Sequence, residues 1–292
     1  MEIKKVAVIG CGLMGSGIAE VCARAGYDTL VREVNPDLLE RGMERIRRSI
    51  ATGVERGKLS SEQRDAALAR LHGTTSFDDL GDRDLAIEAV IEQLDEKQRV
   101  FAALDAATPP HAILASNTSS IPIIQLATAT RRPDRVLGMH FMNPVPRMRL
   151  VEFVRPLTTS DETLETARAF AHSLDKRVIV AKDRAGFIVN LLLVPYLLGA
   201  VQMYEQGFAS REDIDLGMKL GTNMPMGPLE LLDFVGLDTT YYIAEILFDE
   251  FKLPQYASPP LLTQMVRAGW HGRKSGRGIY HYAAGEKPPG AS

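Results

Sequence analysis

Two features of this sequence have the residue types and spacing to do chemistry: a glycine-punctuated turn near its start and one histidine near its middle. The turn reads Gly10-Cys11-Gly12-Leu13-Met14-Gly15, a G-x-G-x-x-G directly after the apolar run Val6-Ala7-Val8-Ile9. Gly10 permits a tight turn, Gly12 lets the backbone approach a pyrophosphate, and Gly15 lets the next helix pack on the strand. The phosphates would rest on the unpaired N–H groups opening that helix. Glu33 follows a second β run, Thr29-Leu30-Val31, where a carboxylate would accept hydrogen bonds from both hydroxyls of an adenosine ribose. A bare glycine turn is common; the strand before it and the helix and strand after it carry the assignment of a dinucleotide-binding unit.

The histidine is His140. Of His72, His111, His140, His172, His271 and His281, it alone sits at the C-terminal end of an expected interior strand, within Val136–Pro144. In an open α/β sheet that end faces the ligand crevice. An imidazole there can take a proton near neutral pH, as nicotinamide-dependent oxidation of an alcohol requires. Taken alone, a histidine at this place serves equally as a hydrogen-bonded structural residue.

Positioning these groups calls for a mostly parallel sheet. Apolar runs predict strands over 4–9, 28–33, 84–90, 111–116, 135–141, 148–154 and 177–182. Helical spacing fits 15–26, 36–53, 61–71, 94–106, 121–129 and 161–175. Ser120 before Ile121-Pro122 reads as an N-cap, and Ser60 with Gln63 as a capping box. The stretch of about 36–72 reads as a helical arm inserted beside the sheet. Its residues 41–58 hold six basic side chains (Arg41, Arg45, Arg47, Arg48, Arg56, Lys58) against Glu44 and Glu55. That is either a solvated helix face or a docking surface for a phosphorylated substrate handle. Strand–helix alternation stops near residue 184, which predicts a Rossmann-type domain over 1–184 and an all-helical domain over 185–292.

Composition excludes several classes. A length of 292 residues suits two domains or one large one, and 45% hydrophobic and 24% charged content is that of an ordinary soluble globular protein. A net charge of −3 gives no field for nucleic acid. Two cysteines, Cys11 and Cys22, make no disulfide framework and fit a reducing, cytoplasmic compartment. Met1-Glu2 runs almost directly into the first strand, so no signal peptide is expected, and no metal-ligand cluster is expected either. The apolar stretch Phe187–Tyr204 is interrupted by Asn190, Pro195 and Gln202, and reads as a buried interface helix rather than a membrane span.

At this point the residues resemble a family, the L-3-hydroxyacyl-CoA dehydrogenases, with their bacterial 3-hydroxybutyryl-CoA branch the most similar. The likeness runs through Gly10–Ala19, Ile87–Val90, Ala115–Ser120, Gly138–Pro144, Gly186–Asn190, Pro225–Glu230 and Gly272–Tyr280, nearly the whole chain. It implies NAD as cofactor and the interconversion of an L-3-hydroxyacyl-CoA with its 3-ketoacyl-CoA, in fatty acid metabolism. By the resemblance His140 is the general base, Glu152 its carboxylate partner, and Ser119 and Asn190 bind the substrate oxygen and thioester region. NAD would contact Gly10, Cys11, Gly12, Leu13, Met14, Gly15, Glu33, Glu92, Lys97, Ser119, Asn143 and Lys274. The CoA portion would meet Ser49 and Arg56 on the arm. Departures are Thr52 and Arg56 where lysines are common, Asn190-Leu191 for Asn-Arg, and Met224-Pro225 for His-Pro.

Two other readings are kept: a relative acting on a free 3-hydroxy acid or L-gulonate, which needs no CoA surface, and a crystallin-like NAD-binding protein without turnover. A homodimer through the C-terminal helices is expected from the apolar 187–204 segment.

Overall fold

The apolar runs pair into one eight-stranded sheet in a computed structural model, which describes residues 2–282. The last ten residues of the expected second domain, and Met1, lie outside the described residues. The strands are β1 (Lys5–Ile9), β2 (Asp28–Arg32), β3 (Leu71–Thr74), β4 (Leu85–Glu88), β5 (Ile113–Ser116), β6 (Val136–Phe141), β7 (Leu150–Arg155) and β8 (Arg177–Lys182). Their order is β3-β2-β1-β4-β5-β6-β7-β8. From β3 to β6 every pair is parallel, and β7 then enters antiparallel to β6 with β8 parallel to it. The fold is Rossmann-type.

Helices α1 (Leu13–Arg24), α2 (Pro36–Glu55), α3 (Ser61–Leu68), α4 (Leu94–Ala107), α5 (Ile123–Ala127) and α6 (Asp161–Ser173) accompany the sheet. Alternate residues of β1 enter different cores: Val6 and Val8 pack with Ile18, Cys22 and Phe170, while Ala7 and Ile9 pack with Phe101 and Leu104. A strand buried on both faces reads as a continuous apolar run, which is why it is visible in sequence.

Two local expectations are corrected. The helix expected over 61–71 ends at Leu68, and Leu71–Thr74 pairs in parallel with β2 as an edge strand. Only Thr74 of that strand is buried, so its identity comes from pairing rather than from an apolar pattern. The arm is therefore α2 and α3 alone; the Ser60–Gln63 capping box opens α3 as expected. Ser120 does not cap the helix after it. That helix, α5, begins at Ile123, and its first amides donate to the distant Asp183 carboxylate, at 2.8 Å from Ile123 and 2.6 Å from Ile124. Burial nevertheless pushes the Asp183 carboxyl above its usual range.

The chain divides into two units, Met1–Phe187 and Ile188–Ser292. The second is helical: α7 (Val189–Glu205), α8 (Arg211–Thr222), α9 (Pro228–Val235), α10 (Leu237–Phe251) and α11 (Pro260–Arg267). Two buried carboxylates organise it. Asp215 accepts the first amides of α9, from Leu229 at 2.7 Å and Glu230 at 3.0 Å. Asp233 holds the tail through Ile279 N, Tyr280 N and the Tyr282 hydroxyl, all within 2.9 Å. Among the described residues no helix is long and apolar enough to cross a membrane.

Candidate active site

The glycine turn is shaped by close approach. Gly10 has φ +91°, and a Cβ on it would lie 2.8 Å from the Ala89 carbonyl oxygen. A Cβ at Gly15 would be driven into the Gly10 carbonyl. At Gly12 a Cβ would meet nothing within 4 Å, so the backbone is open there. Helix α1 has no side-chain cap and no acidic residue in its first turn. Its leading N–H groups are left for an anion. The Glu33 carboxylate is fixed beside this turn, accepting from Cys11 N at 2.6 Å and Val34 N at 3.0 Å. Burial, aided by the Glu33 charge, pushes the Cys11 thiol up to about 12. It contributes backbone, not a nucleophile.

Next to the turn lies a buried charge network that the sequence hides. Glu88 closes β4, and its Oε1 accepts from Lys97 Nζ at 2.6 Å and Val90 N at 2.7 Å. Its Oε2 accepts from Ser116 Oγ at 2.6 Å. Read locally, Glu92 and Lys97 pass for a solvent-exposed pair, but the Lys97 side chain is 1% exposed. Glu92 Oε2 lies 3.2 Å from Lys97 Nζ. Its Oε1 accepts from the Thr118 hydroxyl, from Ser119 N at 3.1 Å and from Ser120 Oγ at 2.9 Å. Residues Glu92, Lys97 and Ser119 therefore belong to one constellation, with Ser119 half-buried in the loop after β5. Sequence reasoning passed over Glu88. A signal was present, since an acidic residue ending an interior apolar strand requires a buried partner.

On the adjacent strand, His140 and Glu152 are opposed in the antiparallel β6–β7 register. His140 Nδ1 lies 2.8 Å from Glu152 Oε2, and both residues are buried. With its Nδ1–H donated to the carboxylate, the neutral imidazole keeps Nε2 as a proton acceptor. The Phe187 ring meets the imidazole edge-on, with centroids 5.6 Å apart. Asn117 Oδ1 accepts Phe141 N at 2.9 Å and so ties the β5 loop to the end of β6. Asn143 follows in the exposed loop beyond β6. The arrangement can remove a proton and stabilise the imidazolium that results.

The arm separates into two sets of cations. Arg47 is taken by Glu40 at 2.7 Å, Arg48 by Glu44 at 2.8 Å, and Arg45 by the Cys11 carbonyl at 2.9 Å. Ser49 and Arg56 instead line a cavity of ≈ 560 Å³ with Thr52, Lys58, Arg24 and Arg147. The solvated-face reading thus holds for Arg47 and Arg48, while Arg56 and Lys58 border a cavity.

Asn190 and Lys274 belong to the second unit. Asn190 is half-buried in the first turn of α7. Lys274 is exposed and paired with Asp238 at 2.6 Å.

Comparison with known proteins gives matches along nearly the whole chain. Residues 5–184 match the NAD binding domain of 3-hydroxyacyl-CoA dehydrogenase, and residues 186–282 match its C-terminal domain. The 3-hydroxybutyryl-CoA dehydrogenase of Mycobacterium tuberculosis is 52% identical over 282 residues, covering 96% of this chain and 99% of that one. The human mitochondrial hydroxyacyl-coenzyme A dehydrogenase is 42% identical over 287 residues, covering 96% and 91%. The crystal structure of (S)-3-hydroxybutyryl-CoA dehydrogenase from Ralstonia eutropha superposes with a TM-score of 0.93 at 42% identity, covering 97% and 100%.

Proposed function

The chain belongs to the 3-hydroxyacyl-CoA dehydrogenase family, and from that premise we propose how its own residues carry the reaction. It is an NAD-dependent oxidoreductase that interconverts L-3-hydroxyacyl-CoA and 3-ketoacyl-CoA, with 3-hydroxybutyryl-CoA the substrate its relatives point to. The open backbone at Gly12 and the uncapped α1 terminus fit a pyrophosphate, and Glu33 fits a ribose diol. NAD held by the Gly10–Gly15 turn and Glu33 would supply the hydride acceptor for oxidation at C3 of the substrate.

The observation that carries the assignment of roles is the 2.8 Å contact between His140 and Glu152 at the C-terminal edge of the sheet. His140 Nε2 takes the 3-hydroxyl proton as the C–H bond breaks, and returns it in the reverse direction. Glu152 holds the ring orientation and balances the imidazolium charge. Ser119 and Asn190 hydrogen-bond the substrate oxygen and thioester region, and Glu92 fixes the Ser119 loop for that task. Asn143, Lys97 and Lys274 complete the cofactor contacts. Ser49 and Arg56, with their cavity, receive the phosphorylated end of CoA.

Exposed apolar side chains on the second unit, Leu192 at 72%, Phe208 at 75% and Leu220 at 78%, support a homodimer through its helices. Two buried free cysteines support a cytoplasmic location, and the substrate supports a place in fatty acid metabolism. Turnover of acetoacetyl-CoA with NADH tests the whole reading. Turnover confined to free 3-hydroxy acids with NAD would replace it with the alternative that needs no CoA surface.

A further inference from the structure

The charges clustered behind the Ser116–Ser120 loop do not sum to zero. Glu88 and Lys97 form a pair at 2.6 Å with side chains 0% and 1% exposed. Glu92 adds a second carboxylate 3.2 Å from the same ammonium, with its side chain 34% exposed. The hydroxyls of Ser116, Thr118 and Ser120 and the amides of Val90 and Ser119 supply dipoles but no charge. Burial pushes the Glu92 carboxyl up. Lys97 and the Thr118 and Ser120 hydroxyls more than offset that and hold it below the usual carboxylate range. Two carboxylates against one ammonium leave one net negative charge.

Sheet order says what that charge faces. Glu33 ends the β2 side of the glycine turn, while Glu88 ends β4 and Glu92 and Ser119 follow β4 and β5 on the other side. A dinucleotide with its pyrophosphate on α1 and its adenosine at Glu33 must send its other half over β4 and β5, toward His140. That other half changes charge during the reaction: the nicotinamide ring is cationic when oxidised and neutral when reduced.

We propose that the Glu88–Lys97–Glu92 cluster sets the balance between the two oxidation states of the bound cofactor, favouring the cationic form. The proposal rests on the NAD reading above. At an effective dielectric of about 20, a net unit charge within about 10 Å of the ring would discriminate by about tenfold. Favouring bound NAD⁺ over NADH pulls the equilibrium on the enzyme toward reduction of the ketone. Glu92 is the group to vary, because it lies on a loop and is partly exposed. Neutralising Glu88 or Lys97 would strand the other buried charge.

The experiment measures Kd for NAD⁺ and for NADH separately, by titration calorimetry, in the parent, Glu92→Gln and Glu92→Asp proteins. Thermal melts confirm that each variant is folded. Glu92→Gln is expected to raise the ratio of the NAD⁺ Kd to the NADH Kd about tenfold. Glu92→Asp moves the contacts but keeps the charge, so it should hold the ratio near the parent value even if both constants rise. Equal weakening of both forms by Glu92→Gln, or an equal shift of the ratio in Glu92→Asp, overturns the proposal and leaves Glu92 a positioning residue for the loop. A parent protein that binds neither form overturns the cofactor reading itself.

Discussion

His140 and Glu152 stand directly opposite each other across the β6–β7 pair, with Nδ1 and Oε2 2.8 Å apart. Side chains of opposed residues share one face of a sheet and lie within reach of each other. A slip of one residue in the register would send the carboxylate to the other face. The dyad is therefore built by the one antiparallel junction among β1 to β7, and not by a loop.

Removing the base should be severe. His140→Ala is expected to lower kcat by roughly two to four orders of magnitude while NAD binding survives, since the glycine turn and Glu33 lie on other strands. Glu152→Gln should also lower kcat, and the double variant should be little worse than His140→Ala. Steady-state kinetics with acetoacetyl-CoA checks this; fully additive losses would mean that the proton leaves by another route.

Cofactor choice should follow Glu33. A 2′-phosphate would face its carboxylate, and Arg32 is turned onto the Phe77 ring, 4.0 Å from its centroid. We expect kcat/KM for NADH to exceed that for NADPH by at least about tenfold. A preference for NADPH, measured side by side, would sink the ribose role of Glu33.

For the arm, Arg56→Ala should raise KM for a CoA thioester roughly three- to tenfold with little change in kcat, because a phosphate contact serves ground and transition states alike. The difference should shrink at high salt, where the contact is screened in the parent. An unchanged KM in low-salt buffer would make that end of the arm a solvated face only.

Assembly can be read by sedimentation. Micromolar protein should run as a homodimer, and Phe208→Glu or Leu220→Glu should shift it toward monomer. A parent protein that sediments only as monomer refutes the dimer.

Acid stability has a named contributor. Asp105 accepts from Arg131 Nε at 2.8 Å and from Arg132 Nε at 2.7 Å. Burial pushes its carboxyl up, but those bonds hold it net below its usual 3.8. The unfolded chain then binds the proton more readily, so this stability is present above that value and is lost as pH falls below it. Asp105→Asn should cost about 2 kcal/mol at neutral pH and flatten the loss in acid. Urea denaturation at neutral pH and near about pH 3 measures both.

The glycine turn, the Ser60–Gln63 cap and the strand bearing His140 were legible because each depends on residues a few positions apart. Backbone conformation at Gly10, a side chain reaching its own helix's amides, and an apolar run are local properties, and sequence carries local properties directly. The resemblance across Gly10–Tyr280 extended that legibility to the family. Three features were decided only by the tertiary structure. Leu71–Thr74 is a strand because β2 offers it an edge, although its own pattern is not apolar. Helix α5 is capped by Asp183, some sixty positions away, rather than by the serine beside it. Lys97 is a charge of the kind a sequence places in water, yet it lies buried against Glu88. In all three the partner arrives through folding, and the energy that settles the matter comes from pairing groups that chain order keeps apart.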